Sequence, residues 1–254
     1  MAHEHRHDQI VALVRERGFV SIDELARHFG VTPQTIRRDI NTLDTEQRVK
    51  RYHGGAALPP STSNTAYTER KISLLGEKQR IAEAIARRIP NQSSLFINIG
   101  TTTETIAQAL LRHEGLTIIT NNLHVASILS TKEDFTVIIA GGRVRTKDGG
   151  IIGEATVDFV RQFKCDYAII GISGIDEDGD LLDFDYQEVR VAQAIIESSR
   201  KVFVAADHTK FGRKAVIRLG PVSAATHIFT DRLPSSDMVA ILEHAGVNLV
   251  VCEN

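Results

Sequence analysis

Apolar residues near the start of the chain recur at the spacing of short helices. They predict an amphipathic helix over 8–17 that ends at Gly18. The segment 21–24, Ser-Ile-Asp-Glu, fits a capping box, in which a hydroxyl and a carboxylate satisfy backbone amides reciprocally at a helix start. We therefore expect a second helix from this point to a turn at Gly30.

A third helix is predicted to begin at Thr32, with an outer face suited to nucleic acid. Thr32 can cap the helix, Pro33 suits the first helical position, and apolar residues follow at core spacing. The residues that remain outside are Gln34, Thr35, Arg37 and Arg38. Glutamine and threonine can pair with base edges, and arginine with phosphate or guanine, which is what major-groove recognition requires. An ordinary surface helix is the alternative, but the tight turn before this helix favours DNA binding.

Basic and apolar residues alternate over 48–58 around a glycine pair. The pattern predicts a small β-hairpin, or wing, whose cations lie along the DNA backbone beside the groove. A solvated edge strand is the alternative. The candidate DNA-binding residues of the whole N-terminal region are Ser21, Thr32, Gln34, Thr35, Arg37, Arg38, Lys50, Arg51 and His53.

The next segment, 59–76, is rich in Pro, Ser, Thr and Asn at its start and has no periodicity, so it is interpreted as a linker. From residue 95 onward, short apolar runs alternate mostly with helical stretches. The runs are Leu95–Ile99, Leu116–Ile119, Phe135–Ile139, Tyr167–Gly171, Lys201–Ala205, Ile228–Thr230 and Val247–Val251. This alternation predicts an α/β domain with a mostly parallel sheet covered by helices.

Parallel sheets bind ligands outside the carboxyl ends of their strands, and polar residues and glycines gather there. Thr101 and Glu104 could form another capping box, which would make the helix start after the first run an anion site. Lys71, Lys78 and Lys210 could supply positive charge for a phosphate. The other candidate effector-binding residues are Gly100, Thr101, Thr102, Asn121, Asn122, Gly141, Gly142, Gly150, Gly153, Asp176, Asp183, Asp185, Glu188 and Asp207.

Each of these residues alone is as well explained by a helix cap, a tight turn or a solvated charge. Their placement after successive strands favours a pocket for a small phosphorylated polyol, in which carboxylates accept hydrogen bonds from ligand hydroxyls. No metal site is expected.

Composition adds few limits. The chain has 254 residues, 42% of them hydrophobic and 24% charged, which suits two domains. Net charge is −2, and residues 1–58 have nine Lys and Arg against eight Asp and Glu, so DNA affinity must come from a local patch. The sequence has no apolar run that could span a membrane and no signal segment at its start, so we expect a cytoplasmic protein.

Two kinds of potential metal ligand have plainer explanations. Cys165 and Cys252 lie far apart without metal-binding spacing and are interpreted as reduced, structural residues. His3, His5 and His7 alternate near the start; a metal site is an alternative there, but a disordered polar tail is the expectation.

The motif Pro-Gln-Thr-Ile-Arg-Arg-Asp at 33–39, followed by Arg-Tyr-His-Gly-Gly-Ala at 51–56, resembles the winged helix-turn-helix of the DeoR family of bacterial transcriptional regulators. The resemblance implies a DNA-binding repressor that works as a homo-oligomer, a dimer or a tetramer, on double-stranded operator DNA. It also implies a DNA-binding domain over 3–58, the linker over 59–76 and an effector-binding domain over 77–252.

The C-terminal part resembles the effector domain of the same family, which is related in fold to ribose 5-phosphate isomerase. A sugar-phosphate isomerase is therefore the rival function, and Asp176, Glu188, Asp207 and Lys210 look like counterparts of isomerase positions. The stretch 181–187, Leu-Leu-Asp-Phe-Asp-Tyr-Gln, stands where an isomerase has a lysine and a run of glycines. Without that lysine the enediolate loses its main stabiliser, so we expect no catalytic residues.

Within the family, segments 98–102, 132–135, 148–156, 182–186 and 210–213 resemble the members that control glycerol phosphate metabolism. The implied effector is sn-glycerol 3-phosphate, with no cofactor. Nothing physical in the sequence selects this ligand over another sugar phosphate, which remains the alternative.

Overall fold

The structure is a computed structural model that describes residues 2–17, 19–52, 54–57 and 67–253. Contacts between residues divide the chain into two compact units, Met1–Thr62 and Ser63–Asn254. No helix within the described ranges is long and apolar enough to cross a membrane.

The first unit packs three helices on a small antiparallel sheet. Its elements are α1 (Ala2–Arg17), β1 (Phe19–Ser21), α2 (Ile22–Phe29), α3 (Pro33–Thr45), β2 (Lys50–Tyr52) and β3 (Gly55–Ala57), with the strands in the order β1-β3-β2. Leu25, Ile36 and Leu43 are fully buried in its core. The predicted winged helix-turn-helix is confirmed.

The caps of α2 and α3 follow the sequence prediction. The Glu24 amide donates to the Ser21 hydroxyl (3.2 Å), and the Ser21 amide donates back to the Glu24 carboxylate (3.2 Å). Gly30 ends α2 with φ of +62°, a left-handed conformation that glycine adopts without steric cost. The Thr32 hydroxyl accepts the Thr35 amide (3.3 Å), which fixes the start of α3.

Helix α1 begins earlier than the sequence predicts. The predicted helix started at residue 8, after a disordered histidine tail, but the structure is helical from Ala2. The reason is tertiary: the Arg6 guanidinium donates to the buried Asp39 carboxylate (2.7 Å), and His7 lies 3.1 Å from the same group. Residues 53 and 58–66, which include part of the predicted wing and linker, lie outside the described residues.

The second unit is an α/β structure built around one large sheet. Its helices are α4 (Tyr67–Ile72), α5 (Leu75–Ala86), α6 (Thr101–Leu110), α7 (Leu123–Leu129), α8 (Glu154–Val160), α9 (Tyr186–Glu197) and α10 (Ser236–His244). Its strands are β4 (Ser94–Ile97), β5 (Thr117–Thr120), β6 (Thr136–Ile139), β7 (Arg143–Arg145), β8 (Gly150–Ile152), β9 (Cys165–Gly171), β10 (Gly174–Ile175), β11 (Asp180–Asp183), β12 (Ser199–Ala205), β13 (Ile217–Pro221), β14 (His227–Thr230) and β15 (Asn248–Val251).

Seven strands form one parallel sheet in the order β15-β14-β12-β9-β4-β5-β6. Side chains alternate between its faces, so Phe96 of β4 packs with residues of α8, α9 and α10, whereas Leu95 and Ile97 pack with those of α5, α6 and α7. Both faces are therefore covered, and each predicted apolar run supplies one of the seven strands. The predicted fold class is confirmed.

Two features of this unit differ from the sequence prediction. Helix α4 and the start of α5 lie in the segment interpreted as a linker, because apolar and charged residues replace the Pro-Ser-Thr-Asn composition from Tyr67 onward. The hairpin β7–β8 and the three-stranded sheet β10-β11-β13 were not predicted, because their strands are short and rich in polar residues or glycine. Cys165 and Cys252 are buried and free.

Candidate functional site

The exposed face of α3 presents three side chains of the predicted DNA-binding set. Gln34, Arg37 and Arg38 are exposed, and within the described residues the side chains of the two arginines make no hydrogen bond or ion pair. Thr35 is half-buried, and its hydroxyl lies 3.0 Å from that of Thr32, so both hydroxyls serve the helix cap. The cations that α3 offers to an anionic partner are therefore its two arginines.

The wing strand β2 is held against the last turns of α3. The Arg51 amide donates to the Asp44 carboxylate (2.9 Å), and its guanidinium donates to the Asn41 side chain (2.8 Å). Arg51 remains exposed beside the helix. Lys50 lies in β2 with its side chain undescribed, His53 lies outside the described residues, and the Ser21 hydroxyl is used in the α2 cap.

Asp39 holds α3 in place from its inner side, a role the sequence did not reveal. Burial opposes ionisation, but hydrogen bonds from Arg6 and His7 outweigh it and lower the pKa of the carboxyl group. The signal is weak in sequence because Arg6 lies 33 positions away, in the segment interpreted as disordered.

The strand order of the large sheet reverses between β4 and β9. From β4 the chain continues outward through β5 and β6, and it then returns to add β9 on the other side. Asn98 bridges this point: its amide donates to the Gly171 carbonyl (3.0 Å), and its carbonyl accepts from the Gly171 amide (2.8 Å). Ligands of open α/β sheets bind in the crevice at such a reversal, so the residues after β4 and β9 border the expected site.

Helix α6 opens at this crevice, but without the predicted capping box. Gly100 is the N-cap residue, and the Thr103 hydroxyl donates instead to the carbonyls of Asn98 (2.9 Å) and Gly100 (2.7 Å). Glu104 is buried and accepts the Tyr67 hydroxyl (2.8 Å), so it is not available to cap the helix. Thr101 is buried at the start of α6.

Asn121 and Asn122 follow β5 and are buried. Asn122 caps α7 by accepting the His124 amide (2.9 Å), and Asn121 donates to the Ile151 carbonyl (3.0 Å). The remaining side-chain atoms, Asn121 Oδ1 and Asn122 Nδ2, are buried without a hydrogen-bond partner among the described residues. Unpaired buried polar atoms are costly, which makes this pair a candidate for ligand hydroxyls.

Three cations interact with Asp207, at the carboxyl end of β12, and Arg70 interacts with all three of them. We call them the cationic cluster: Arg70, Lys78, Lys210 and Arg213. Lys210 is half-buried, its ammonium makes no hydrogen bond or ion pair within the described residues, and burial lowers its pKa. Burial, together with Lys210 and Arg70, lowers the pKa of Lys78 to about 8. Mutual repulsion of this kind is relieved by a bound anion.

A second group is acidic and surrounds Arg145. We call it the acidic cluster: Asp148, Asp183, Asp185 and Glu188. Arg145 donates to Asp148 (2.8 and 2.7 Å), to Asp185 (2.7 Å) and to Glu188 (2.6 Å). Burial and the neighbouring Asp183 carboxylate raise the pKa of Glu188 to about 8, and burial also raises that of Asp183.

Several predicted residues do not join these clusters. Lys71 is exposed, with its ammonium 5.8 Å from the Tyr67 ring centroid, and Asp176 accepts the Glu177 amide (2.9 Å) in its own turn. A Cβ at Gly142 would lie 2.2 Å from the Thr156 hydroxyl, and one at Gly150 would lie 2.5 Å from Ile99. These two glycines are thus required by packing.

Two other predicted glycines have different surroundings. The Gly141 carbonyl accepts the Thr156 hydroxyl (2.9 Å), and Gly153 precedes α8 with φ of +116°. The sequence did not reveal Arg70, Arg145, Asp148 and Arg213, because a single charge in a short helix, a short strand or a loop gives no periodic signal.

Comparison with known proteins identifies the family of the chain. The model described as "DeoR-like helix-turn-helix domain" matches residues 6–62, and that described as "DeoR C terminal sensor domain" matches residues 74–232. The "Glycerol-3-phosphate regulon repressor" of Escherichia coli (strain K12) is 52% identical over 99% of this chain and 100% of its own length. A protein of the same name from Haemophilus influenzae is 50% identical over 97% of this chain and 96% of its own.

Among solved structures, ribose 5-phosphate isomerase A from Methanocaldococcus jannaschii is similar over 54% of each chain, with a TM-score of 0.40 and 11% sequence identity. The family matches span both units, and the two repressors align with nearly all of the sequence. The chain therefore belongs to the DeoR family of transcriptional regulators.

Proposed function

We propose that this protein represses genes of glycerol and glycerol 3-phosphate metabolism and leaves its operator when sn-glycerol 3-phosphate binds the second unit. The observation that carries the proposal is the 52% identity to a glycerol-3-phosphate regulon repressor over 99% of this chain. The physical features of the two units support each half of it. The domains we propose are 3–58 for DNA and 77–252 for the effector, joined by 59–76.

Operator binding is assigned to α3 and the wing. Arg37 and Arg38 are exposed without protein partners among the described residues, and Gln34 lies beside them. An arginine fork matches both phosphate and the guanine edge, and glutamine matches adenine. Lys50, Arg51 and His53 are proposed to contact the DNA backbone. Two or four copies of the chain would present these helices to operator half-sites.

The effector phosphate is assigned to the cationic cluster. The Lys210 ammonium has no partner within hydrogen-bond distance in the described part of the chain, and Lys78 is only 3% exposed. A phosphate would neutralise these charges and accept hydrogen bonds from both ammonium groups. Amides at the start of α6, near Thr101 and Thr102, would add donors for the same anion.

The effector hydroxyls are assigned to the acidic cluster and the asparagine pair. Burial and the Asp183 carboxylate raise the pKa of Glu188 to about 8, and burial raises that of Asp183, so near neutral pH the pair keeps a proton and can both donate and accept. Asn121 Oδ1, an acceptor, and Asn122 Nδ2, a donor, are buried without a hydrogen-bond partner among the described residues, and both can pair with ligand hydroxyls. A polyol phosphate, anionic at one end and hydroxylated at the other, fits a site with these two halves.

We infer that the protein is not an enzyme. Leu181 and Leu182 occupy buried positions of β11 in the stretch where an isomerase would have its lysine and glycines. A regulator responding to another sugar phosphate is the second candidate, because the cationic cluster would serve any phosphate ester.

Calorimetric titration of the full chain with sn-glycerol 3-phosphate, ribose 5-phosphate and glycerol tests the effector proposal. We expect binding of sn-glycerol 3-phosphate, much weaker binding of glycerol, and no turnover of ribose 5-phosphate in a parallel assay. If only ribose 5-phosphate binds, the proposed effector is wrong, but the proposal that the protein is a regulator stands. Turnover would establish the isomerase and contradict the proposal.

A further inference from the structure

Helix α4 is fastened to the effector region at its first residue. The Tyr67 hydroxyl donates to both oxygens of the buried Glu104 carboxylate (3.0 and 2.8 Å). The Tyr67 ring also stacks on His124, with centroids 5.4 Å apart and planes inclined by 13°. Burial and the Glu104 carboxylate together raise the pKa of Tyr67, so the hydroxyl remains a donor. The start of α4 is therefore tied to α6 and α7 at the expected site.

One turn later, Arg70 belongs to the cationic cluster and also contacts the acidic cluster. Its guanidinium is 3.9 Å from Asp148 Oδ2, the same oxygen that Arg145 approaches to 2.7 Å. Arg145 also binds the other oxygen of Asp148 (2.8 Å), so the ion pair with Arg70 is the weaker of the two. Asp148 therefore keeps a full partner, Arg145, when the Arg70 guanidinium turns toward another anion.

The same arginine faces the other cations. The Lys78 ammonium donates to the Arg70 carbonyl, which places α4 directly against the buried lysine. The Arg70 guanidinium lowers the pKa of Lys78, of Lys210 and of Arg213, in each case after the larger effect of burial. Its side chain is 20% exposed, so it can reach a molecule entering the crevice.

From this geometry we propose that Arg70 is a ligand of the effector phosphate and that α4 is the element through which effector binding is transmitted to the DNA-binding unit. The inference rests on the proposed function and adds a residue to its site. A phosphate placed among Lys78, Lys210 and Arg213 competes with Asp148 for the Arg70 guanidinium and offers it bidentate hydrogen bonds.

Helix α4 is close in sequence to the DNA-binding unit, so a contact between Arg70 and the effector can affect that unit. Only the segment 58–66 separates α4 from the described end of the wing at Ala57. Movement of Arg70 from Asp148 toward a phosphate would shift α4 and therefore the end of the linker. An effector changes operator affinity only by its differential contacts with the two states, and Arg70 would supply such a contact.

The test of the phosphate contact compares Arg70→Gln with Arg87→Gln in the full chain. Arg87 lies after α5, is 69% exposed and pairs only loosely with Glu83 (3.9 Å), so it is a matched surface control. Calorimetry with sn-glycerol 3-phosphate and with inorganic phosphate should show at least a tenfold loss of affinity for Arg70→Gln. Arg70→Lys should recover part of it, because it restores the charge without the fork.

The test of transmission uses Tyr67→Phe, with Tyr186→Phe, a 61% exposed tyrosine, as control. The measured quantity is the ratio of operator affinities without and with saturating sn-glycerol 3-phosphate. We expect this ratio to fall at least threefold for Tyr67→Phe and to stay at the wild-type value for Tyr186→Phe. If Tyr67 and Glu104 act through their shared hydrogen bond, the ratio should be the same in Tyr67→Phe, in Glu104→Ala and in the double variant.

The outcomes separate this inference from the function on which it rests. If wild type responds to sn-glycerol 3-phosphate and Arg70→Gln binds it equally well, the proposed function stands and Arg70 is not a phosphate ligand. If the ratio is unchanged in Tyr67→Phe, α4 does not transmit the signal. If wild type binds no phosphate ester, both proposals are wrong. Thermal unfolding of the second unit at the wild-type temperature shows that each variant is folded.

Discussion

At the scale of single residues, Lys210 combines the two properties that a phosphate ligand needs. It has a positive charge near the carboxyl end of a parallel strand, and its ammonium group has no hydrogen-bond or ion-pair partner among the described residues. Arg145 is the opposite case, since three carboxylates already surround it. Lys210 is thus assigned to ligand binding and Arg145 to holding the acidic cluster together.

Replacing Lys210 with Gln should weaken sn-glycerol 3-phosphate binding by roughly 10- to 100-fold, because a charge-assisted hydrogen bond contributes about 1.5–3 kcal/mol. Operator affinity without effector should stay at the wild-type value, since Lys210 is in the second unit. Calorimetry and fluorescence anisotropy measure the two quantities. An unchanged effector affinity would remove Lys210 from the site.

Replacing Arg38 with Ala should weaken operator binding by about 1–3 kcal/mol if the side chain pairs with a guanine. If it pairs with a phosphate, binding should weaken equally for all DNA sequences. The slope of log affinity against log salt concentration should then fall in magnitude by about one. Anisotropy titrations at several salt concentrations distinguish these cases. Arg161→Ala, a 52% exposed arginine after α8, is the control. Affinity equal to wild type would mean that α3 is not the recognition helix.

His208 predicts a pH dependence of stability. Its backbone amide donates to Asp231 Oδ1 (2.7 Å), and its ring nitrogen lies 2.7 Å from Asp231 Oδ2. The hydrogen bond to Asp231, opposed in part by burial, raises the pKa of His208. The stabilisation from the charged pair is therefore complete below the unfolded pKa of about 6.5 and is lost as the pH rises through the higher folded value.

Urea unfolding of the second unit at pH 6 and pH 8.5 checks this prediction. The wild type should lose more unfolding free energy between the two pH values than His208→Gln does. His244→Gln, an exposed histidine at the end of α10, should behave like wild type. Equal pH dependence in wild type and His208→Gln would show that the His208–Asp231 pair does not contribute.

At the scale of elements, the sequence predicts what local chemistry determines. Each apolar run of the second unit became a strand of the large sheet, and the Ser21 and Thr32 caps formed as expected. The capping box at Thr101 failed because Tyr67, distant in sequence, takes the Glu104 carboxylate. Tertiary contacts of this kind leave no local pattern, which also explains why the start of α1 and the position of Arg145 were not predicted.

The segment carrying Lys210 and Arg213 is positioned by a close approach to β10. A Cβ at Gly174 would lie 2.2 Å from the Arg213 carbonyl oxygen, and a backbone atom cannot yield as a flexible side chain does. Gly174→Ala should therefore displace this segment, destabilise the second unit by about 1–3 kcal/mol and reduce effector affinity.

The matched control is Gly220→Ala in β13, where an added Cβ would meet no atom within 4 Å. Calorimetry and thermal unfolding of both variants give the comparison. If Gly174→Ala bound sn-glycerol 3-phosphate as well as Gly220→Ala does, the β10 contact would have no part in placing the cationic cluster.

At the scale of the whole molecule, the two units divide recognition between DNA and a small anion. Their fold classes follow from periodicity: helical spacing and caps for the first, apolar runs alternating with helices for the second. The candidate site could be predicted from the sequence only in part. Lys78, Asp207 and Lys210 lie in or next to strands and helices that the apolar pattern locates. Arg70, Arg145 and Asp148 depend on how helix α4 and the hairpin β7–β8 pack, which no periodicity encodes.

The central claim is that one effector governs operator binding. A typical allosteric coupling of about 1–3 kcal/mol predicts that saturating sn-glycerol 3-phosphate weakens operator binding roughly 5- to 150-fold. The most direct measurement is an anisotropy titration of the full chain, at fixed salt, against DNA from upstream of glycerol-use genes, with and without sn-glycerol 3-phosphate. The predicted result is a shift within that range, which in Lys210→Gln requires roughly 10- to 100-fold more sn-glycerol 3-phosphate. Tight binding that ignores sn-glycerol 3-phosphate would contradict the account.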